Sequence, residues 1–111
     1  MADNDSAGSP VLPGKEVVHV DSSFEPLVPK FMVNRKKEVI VMQEAMAAQD
    51  FETVRKVSHG MKGAGGSYGF DRVSEMAAVI EQAAKATDAA VIQRELPILG
   101  AYLERIEVVY D

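Results

Sequence analysis

The stretch DFETVRKVSHGMKGAGGSYGF, residues 50–70, decides the fold, because it has the pattern of one amphipathic helix between two clear end signals. Asp50 is a good N-cap, Glu52 suits the first turn, and Gly69 is a natural residue to end the helix. The predicted inner face contains Val54, Val57, Ser58, Met61, Ala64, Gly65 and Tyr68. Five of the chain's eight glycines lie in this stretch. This density needs a reason, because each glycine in a helix interior costs about 1 kcal/mol relative to alanine.

Helical periodicity continues on both sides of this stretch. From about Pro26 to about Gln49, apolar residues recur in alternating four- and three-residue steps, and Arg35 is the one polar residue among them. On the other side, Asp71 is predicted to cap a third helix. The inner face of that helix is formed by Val73, Met76, Ala77, Ile80 and Ala84.

A fourth helix is predicted to begin at Thr87 or Asp88 and to run to Tyr110. Pro97 lies inside it, so a kink or a break is expected near residues 93–97. The connections are short and strand signals are nearly absent. The sequence therefore predicts an all-α fold, an antiparallel up-down four-helix bundle with a flexible N-terminal tail.

The first sixteen residues, MADNDSAGSPVLPGKE, are rich in Gly, Pro, Ser, Asp and Asn. Segments of this composition cannot bury enough apolar surface to fold, so residues 1–16 are predicted to be a disordered tail or linker. The domain then takes residues 17–111. Its opening VVHVD, residues 17–21, is interpreted as a short extended arm, and His19 within it as an exposed side chain without a role.

Composition and charge exclude several classes of function. The formal net charge of −5 disfavours nonspecific nucleic-acid binding and gives no polybasic membrane signal. The chain has no cysteine, which excludes disulfides and thiolate metal sites. No apolar run approaches the roughly 20 residues that span a bilayer, and the first ten residues do not resemble a signal peptide. We expect a soluble, cytoplasmic and monomeric protein.

His59 is the residue of chemical interest in the second helix. On a helical wheel it lies nearly opposite the apolar face, with Gly63 and Gly66 on the same side and Lys62 beside it. Bundle packing does not require glycine on a solvent-facing side. Glycine there gives clearance, so another macromolecule can approach the imidazole closely. The pattern is that of a nucleophile presented to a partner.

Other interpretations of the glycine-rich stretch fit less well. A P-loop needs GxxxxGK and a dinucleotide site needs GxGxxG, each after a strand, whereas Gly63, Gly65 and Gly69 give GxGxxxG within a helix. His59 has no second metal ligand one turn away, and neither a Ser-His-Asp nor a Cys-His set is present. Residue types alone leave open a surface histidine without a role beside a frayed helix end.

The segment SHGMKGAGGSYGF resembles the motif HxxKGxxxxxG of histidine-containing phosphotransfer (HPt) domains. The matching residues are His59, Lys62, Gly63 and Gly69, followed by Phe70. The segment VDSSFEPLVPKFMVNRKKEV resembles the opening helix of HPt modules attached to bacterial hybrid histidine kinases. AAQDFETVRKVSH resembles the turn and helix that lead into their histidine. The resemblance covers about residues 17–111.

The resemblance implies a phosphorelay intermediate that carries a phosphoryl group between aspartates of receiver domains. His59 is then the phosphoacceptor, through the ring nitrogen farther from the backbone; Lys62 lies near the phosphoryl oxygens, and Gly63 keeps the surface open. The partners are receiver domains of response regulators or hybrid histidine kinases, docking over a surface that includes Gly63, Gly66, Arg55 and Lys56.

The same resemblance implies a phosphocarrier and not an autonomous enzyme. No cofactor and no metal site of its own are expected, and the Mg²⁺ for transfer belongs to the receiver. The alternative is a noncovalent adapter that docks a receiver domain through the same face without being phosphorylated. The presence of both His59 and Lys62 favours the relay.

Overall fold

The computed structural model describes residues 15–111, so residues 1–14 of the predicted tail lie outside the described residues. Four helices account for most of the described chain. The elements in chain order are strand β1 (Glu16–Val20), a 3₁₀ helix (Ser22–Leu27), helices α1 (Val28–Ala47), α2 (Phe51–Tyr68), α3 (Asp71–Lys85) and α4 (Ala89–Arg105), and strand β2 (Ile106–Tyr110).

The four helices enclose one hydrophobic core. Helix α1 packs against α2 and α4, and α3 packs against the same two helices, so every helix has two neighbours. Many of the most deeply buried side chains lie on the predicted apolar faces, among them Val54, Met61, Val73 and Ile80. The prediction of a helical bundle with four helices is confirmed, whereas the antiparallel up-down order stays a prediction.

Most of the predicted helix ends are confirmed. The side chains of Asp50 and Asp88 accept hydrogen bonds from the backbone N–H groups of Thr53 and Val91, as N-caps do. Gly69 ends α2 with a φ of 86°, a left-handed conformation that glycine adopts without steric cost. The predicted cap at Asp71 is wrong, because Phe70 holds that position and Asp71 is the first residue of α3.

The predicted fourth helix is too long at its C-terminal end. Helix α4 ends at Arg105, and Ile106 is extended, with a φ of −65° and a ψ of 129°. Residues 106–110 form β2, which pairs in parallel with β1 from Glu16 opposite Ile106 to Val20 opposite Tyr110. The expectation of an almost strand-free chain is therefore wrong, although the interpretation of residues 17–21 as an extended arm is confirmed through Val20.

Of the kink or break predicted near residues 93–97, the break is wrong, whereas the kink stays a prediction. Helix α4 continues through Pro97 without interruption. A proline removes one backbone N–H donor from the helix interior. The neighbouring Leu96 and Leu99 are buried in the core, and this packing stabilises the helix on both sides of the proline.

Candidate functional site

His59 lies on the outer side of α2, and its side chain is 66% exposed. The surface around it is bare. Beyond its chain neighbours and the adjacent backbone of α2, a Cβ atom added at Gly60 or at Gly63 would meet no atom of the described residues within 4 Å. The sequence-based prediction that His59 faces solvent beside open backbone is therefore confirmed, and Gly60 is part of the same uncovered backbone.

The other glycines of α2 have different surroundings. Gly66 is exposed but borders α3, since an added Cβ would lie 3.8 Å from the hydroxyl oxygen of Ser74. Gly65 is buried, and a Cβ there would lie 3.0 Å from the backbone nitrogen of Ser74 and 3.1 Å from the carbonyl oxygen of Phe70. Part of the glycine density therefore serves the close approach of α2 to the start of α3, and not a clear surface.

A carboxylate from α3 orients the imidazole of His59. Oε2 of Glu81 lies 2.9 Å from Nδ1 of His59, and the Glu81 side chain is only 3% exposed. The pKa of Glu81 is lowered from its usual 4.5 to about 2, chiefly by the ammonium of Lys62, while burial opposes this shift. Glu81 is therefore ionised at neutral pH and only accepts hydrogen bonds.

The ionised carboxylate determines the tautomer of a neutral His59. Nδ1 must carry the hydrogen that it donates to Glu81, so the lone pair of the ring is on Nε2. Nε2 is the ring nitrogen farther from the backbone, on the exposed side of the side chain. A neutral imidazole held in this way presents a nucleophilic nitrogen to solvent.

Two lysines share the same carboxylate. Nζ of Lys62 lies 2.9 Å from Oε1 of Glu81, and Nζ of Lys85 lies 3.7 Å from Oε2. Lys62 follows His59 by three residues on α2, and Lys85 follows Glu81 by four residues on α3, so each lies about one turn further along its helix. The structure thus brings Lys62 to the site, as predicted, through a residue that the prediction did not include.

The two predicted basic docking residues, Arg55 and Lys56, share one neighbouring carboxylate. The Arg55 guanidinium donates hydrogen bonds to both carboxylate oxygens of Glu52, at 3.0 and 2.6 Å. Nζ of Lys56 lies 3.9 Å from the same carboxylate. Glu52 therefore offsets part of the positive charge of this pair.

Sequence reasoning missed Glu81, although a signal for it was present. The inner face of α3 includes Ala77, Ile80 and Ala84, and position 81 lies among them at helical spacing. A carboxylate on an apolar face is costly to bury unless it is paired. A charged residue on that face therefore predicts a partner on the facing helix, and His59 and Lys62 are the partners found.

Residues 15–111 contain neither a metal-binding cluster nor a membrane-spanning helix. No group of three or more His, Asp or Glu side chains there is arranged to hold a metal ion. Among the same residues, no helix combines the length and the apolar character that crossing a membrane requires.

The side chains around His59 form an arrangement that can support nucleophilic attack by the imidazole. The exposed Nε2 has a lone pair, the backbone beside it is uncovered, and the ammonium of Lys62 lies on the same carboxylate that holds the ring. In comparisons with known proteins, the family model described as "Hpt domain" matches residues 31–108. No curated protein and no solved structure matches the chain.

Proposed function

The chain belongs to the Hpt domain family, and on that premise we propose that His59 accepts a phosphoryl group from a receiver-domain phosphoaspartate and passes it to an aspartate of another receiver. Domains of this family carry out histidine phosphotransfer in two-component signalling and interact with receiver domains. The observation that carries the assignment to His59 is its 2.9 Å hydrogen bond to a buried, ionised Glu81, which leaves Nε2 exposed.

The transfer uses the lone pair of Nε2. A bond forms between Nε2 and phosphorus while the bond between phosphorus and the aspartyl oxygen breaks, and the leaving carboxylate stays on the receiver. Nδ1 keeps its hydrogen throughout, so the phosphorylated ring carries a positive charge that faces Glu81. No general base is needed, because the attacking nitrogen has no proton to lose.

Lys62 stabilises the phosphoryl group electrostatically. Its ammonium already lies beside the imidazole through the shared carboxylate, and it can turn toward charge that develops on the phosphoryl oxygens. The Mg²⁺ used in such transfers is proposed to belong to the receiver. We propose no cofactor for this chain and no kinase activity of its own.

The receiver is proposed to dock over the bare backbone around His59. Gly63 and Gly66 belong to this surface, and Gly60 extends it. Arg55 and Lys56 lie at its edge, where Glu52 moderates their charge. A monomer that presents this face to one receiver at a time is the simplest arrangement for a relay.

The test is phosphoryl transfer from a panel of phosphorylated receiver domains to this protein. The chain has two histidines, so His19→Gln is a matched control for His59→Gln. His19 is similarly exposed and also contacts a carboxylate, that of Asp111 at 3.1 Å. We expect acid-labile label on the wild type and on the His19 variant, and none on the His59 variant.

Two results would count against the relay. Label that survives acid, or that persists in the His59 variant, would place the phosphoryl group on another residue. Binding of a receiver without any transfer would favour the noncovalent adapter, especially if the His59 variant binds as tightly as the wild type.

A further inference from the structure

Lys85 is a second cation on the carboxylate that orients His59. Its Nζ lies 3.7 Å from Oε2 of Glu81, the oxygen that also accepts the hydrogen bond from His59. A plain interpretation is available, since a lysine four residues after a glutamate in the last turn of a helix is favourable by itself. The surroundings of Glu81 indicate that Lys85 has a further role at the site.

Glu81 depends on cations, because its carboxylate is almost completely buried. Oε1 has no well-directed hydrogen bond within residues 15–111, and its close contact is the Lys62 ammonium at 2.9 Å. Lys62 is also the cation one turn from His59, so it is the group that an arriving phosphoryl group attracts. If Lys62 turns away, a buried charge loses its nearest counter-ion, and breaking such a pair is strongly destabilising.

We propose that Lys85 is a positioning residue that keeps Glu81 neutralised, and therefore bonded to Nδ1 of His59, while Lys62 moves to the phosphoryl group. This inference rests on the proposed function. Before transfer, one carboxylate faces two ammonium groups and a neutral imidazole. After transfer, Nε2 carries the phosphoryl dianion and the ring, still protonated on Nδ1, carries a positive charge.

The charges of the carboxylate, the phosphoryl group, the ring and the two lysines then sum to zero, and in the proposed arrangement each anionic group keeps a lysine beside it. Lys62 pairs with the phosphoryl oxygens, and Lys85 stays with Glu81. Lys62 and Lys85 are 38% and 49% exposed, so both side chains have room to move between partners. Lys62 can therefore move away from the Glu81 carboxylate while Lys85 stays paired with that carboxylate.

The experiment uses phosphoramidate as a small phosphoryl donor, so that no partner protein is required. The rate at which His59 is labelled is followed by ³¹P NMR in the wild type, Lys85→Gln, Lys62→Gln and the double variant. Lys36→Gln is the matched control, because Lys36 is similarly exposed and its Nζ lies 3.6 Å from the exposed carboxylate of Glu104, on α4.

We expect Lys85→Gln to slow labelling about fivefold, and Lys36→Gln to leave the rate unchanged. In the Lys62→Gln background no cation leaves Glu81, so adding Lys85→Gln is expected to change the rate by less than about twofold. ¹⁵N NMR of the His59 ring gives a second readout. The unphosphorylated Lys85 variant keeps its hydrogen on Nδ1, whereas after phosphorylation its Nδ1–H signal broadens relative to the wild type.

Three results would overturn the inference. They are a Lys85 variant that labels as fast as the wild type, an equal slowing with and without Lys62, and an Nδ1–H signal that is unaltered after phosphorylation. Equal slowing with and without Lys62 would show that Lys85 acts only through the general electrostatic field of its positive charge. Wild-type protein that phosphoramidate does not label at His59 would instead count against the proposed function, so the two failures are distinguishable.

Discussion

Replacing Glu81 by glutamine tests the site through stability alone. The pKa of this carboxyl is lowered from 4.5 to about 2 in the folded protein, first by Lys62. A group whose pKa falls on folding stabilises the native state above its unfolded pKa, and that contribution is lost as the pH falls toward the folded pKa. The stabilisation by Glu81 is therefore complete above about pH 5 and decreases from there to about pH 2.

The size of the effect follows from the pKa shift and from solvent screening. Taken in full, the shift corresponds to about 3 kcal/mol of unfolding free energy at neutral pH. Lys62 and Lys85 are both partly exposed, so water screens their attraction to the carboxylate and reduces this figure. We expect Glu81→Gln to lower the unfolding free energy by about 1–2 kcal/mol at neutral pH.

The assay is urea unfolding followed by far-ultraviolet circular dichroism, since the chain has no tryptophan to report by fluorescence. The difference between wild type and variant is measured at about pH 7 and again at about pH 3, where it is expected to shrink. Glu104→Gln is the matched control, because that carboxylate is exposed beside Lys36, and its removal should cost less than about 0.5 kcal/mol. If Glu81→Gln lowers the unfolding free energy by the same amount at both pH values, the electrostatic reasoning is refuted.

Three further substitutions examine the helices around the site. Gly65→Ala places a Cβ 3.0 Å from the backbone of Ser74, which cannot yield as a side chain can, so a loss of about 1–3 kcal/mol is expected in the same unfolding assay. The added methyl group of Gly63→Ala meets open space, so this substitution should stabilise α2 by up to about 1 kcal/mol. It should also slow phosphoryl transfer from a docked receiver. An unchanged transfer rate would contradict the proposed docking role of the uncovered backbone at Gly63. Asp50→Ala removes the hydrogen bond to the N–H of Thr53 and should cost about 1 kcal/mol; a thermal scan showing no change would contradict this.

The helical part of the fold was predictable because its signals are local. Apolar periodicity identified the four helices, and cap residues such as Asp50, Gly69 and Asp88 identified their ends. The exposure of His59 followed from the same periodicity, since a residue opposite the apolar face of a bundle helix must face water. These predictions needed no knowledge of how one helix meets another.

The strand pairing, the extended conformation of residues 106–110 and the role of Glu81 were missed because they depend on contacts between distant parts of the chain. Residues 106–110 continue the four- and three-residue spacing of α4, and only pairing with β1, far away in the chain, makes them extended. Position 81 is explained by His59 and Lys62, which come from a different helix. The packing role of Gly65 could not be predicted either, because it depends on how closely α2 approaches the start of α3.

The pairing of β1 with β2 also has a mechanical consequence. The strands are parallel, with Glu16 opposite Ile106 and Val20 opposite Tyr110, so a pull on the chain before β1 and after β2 acts at opposite ends of the ribbon. Such a force shears all the ladder hydrogen bonds at once instead of opening them one after another. The ribbon therefore bears tension between the two ends of the described chain before the load reaches the helices that hold His59.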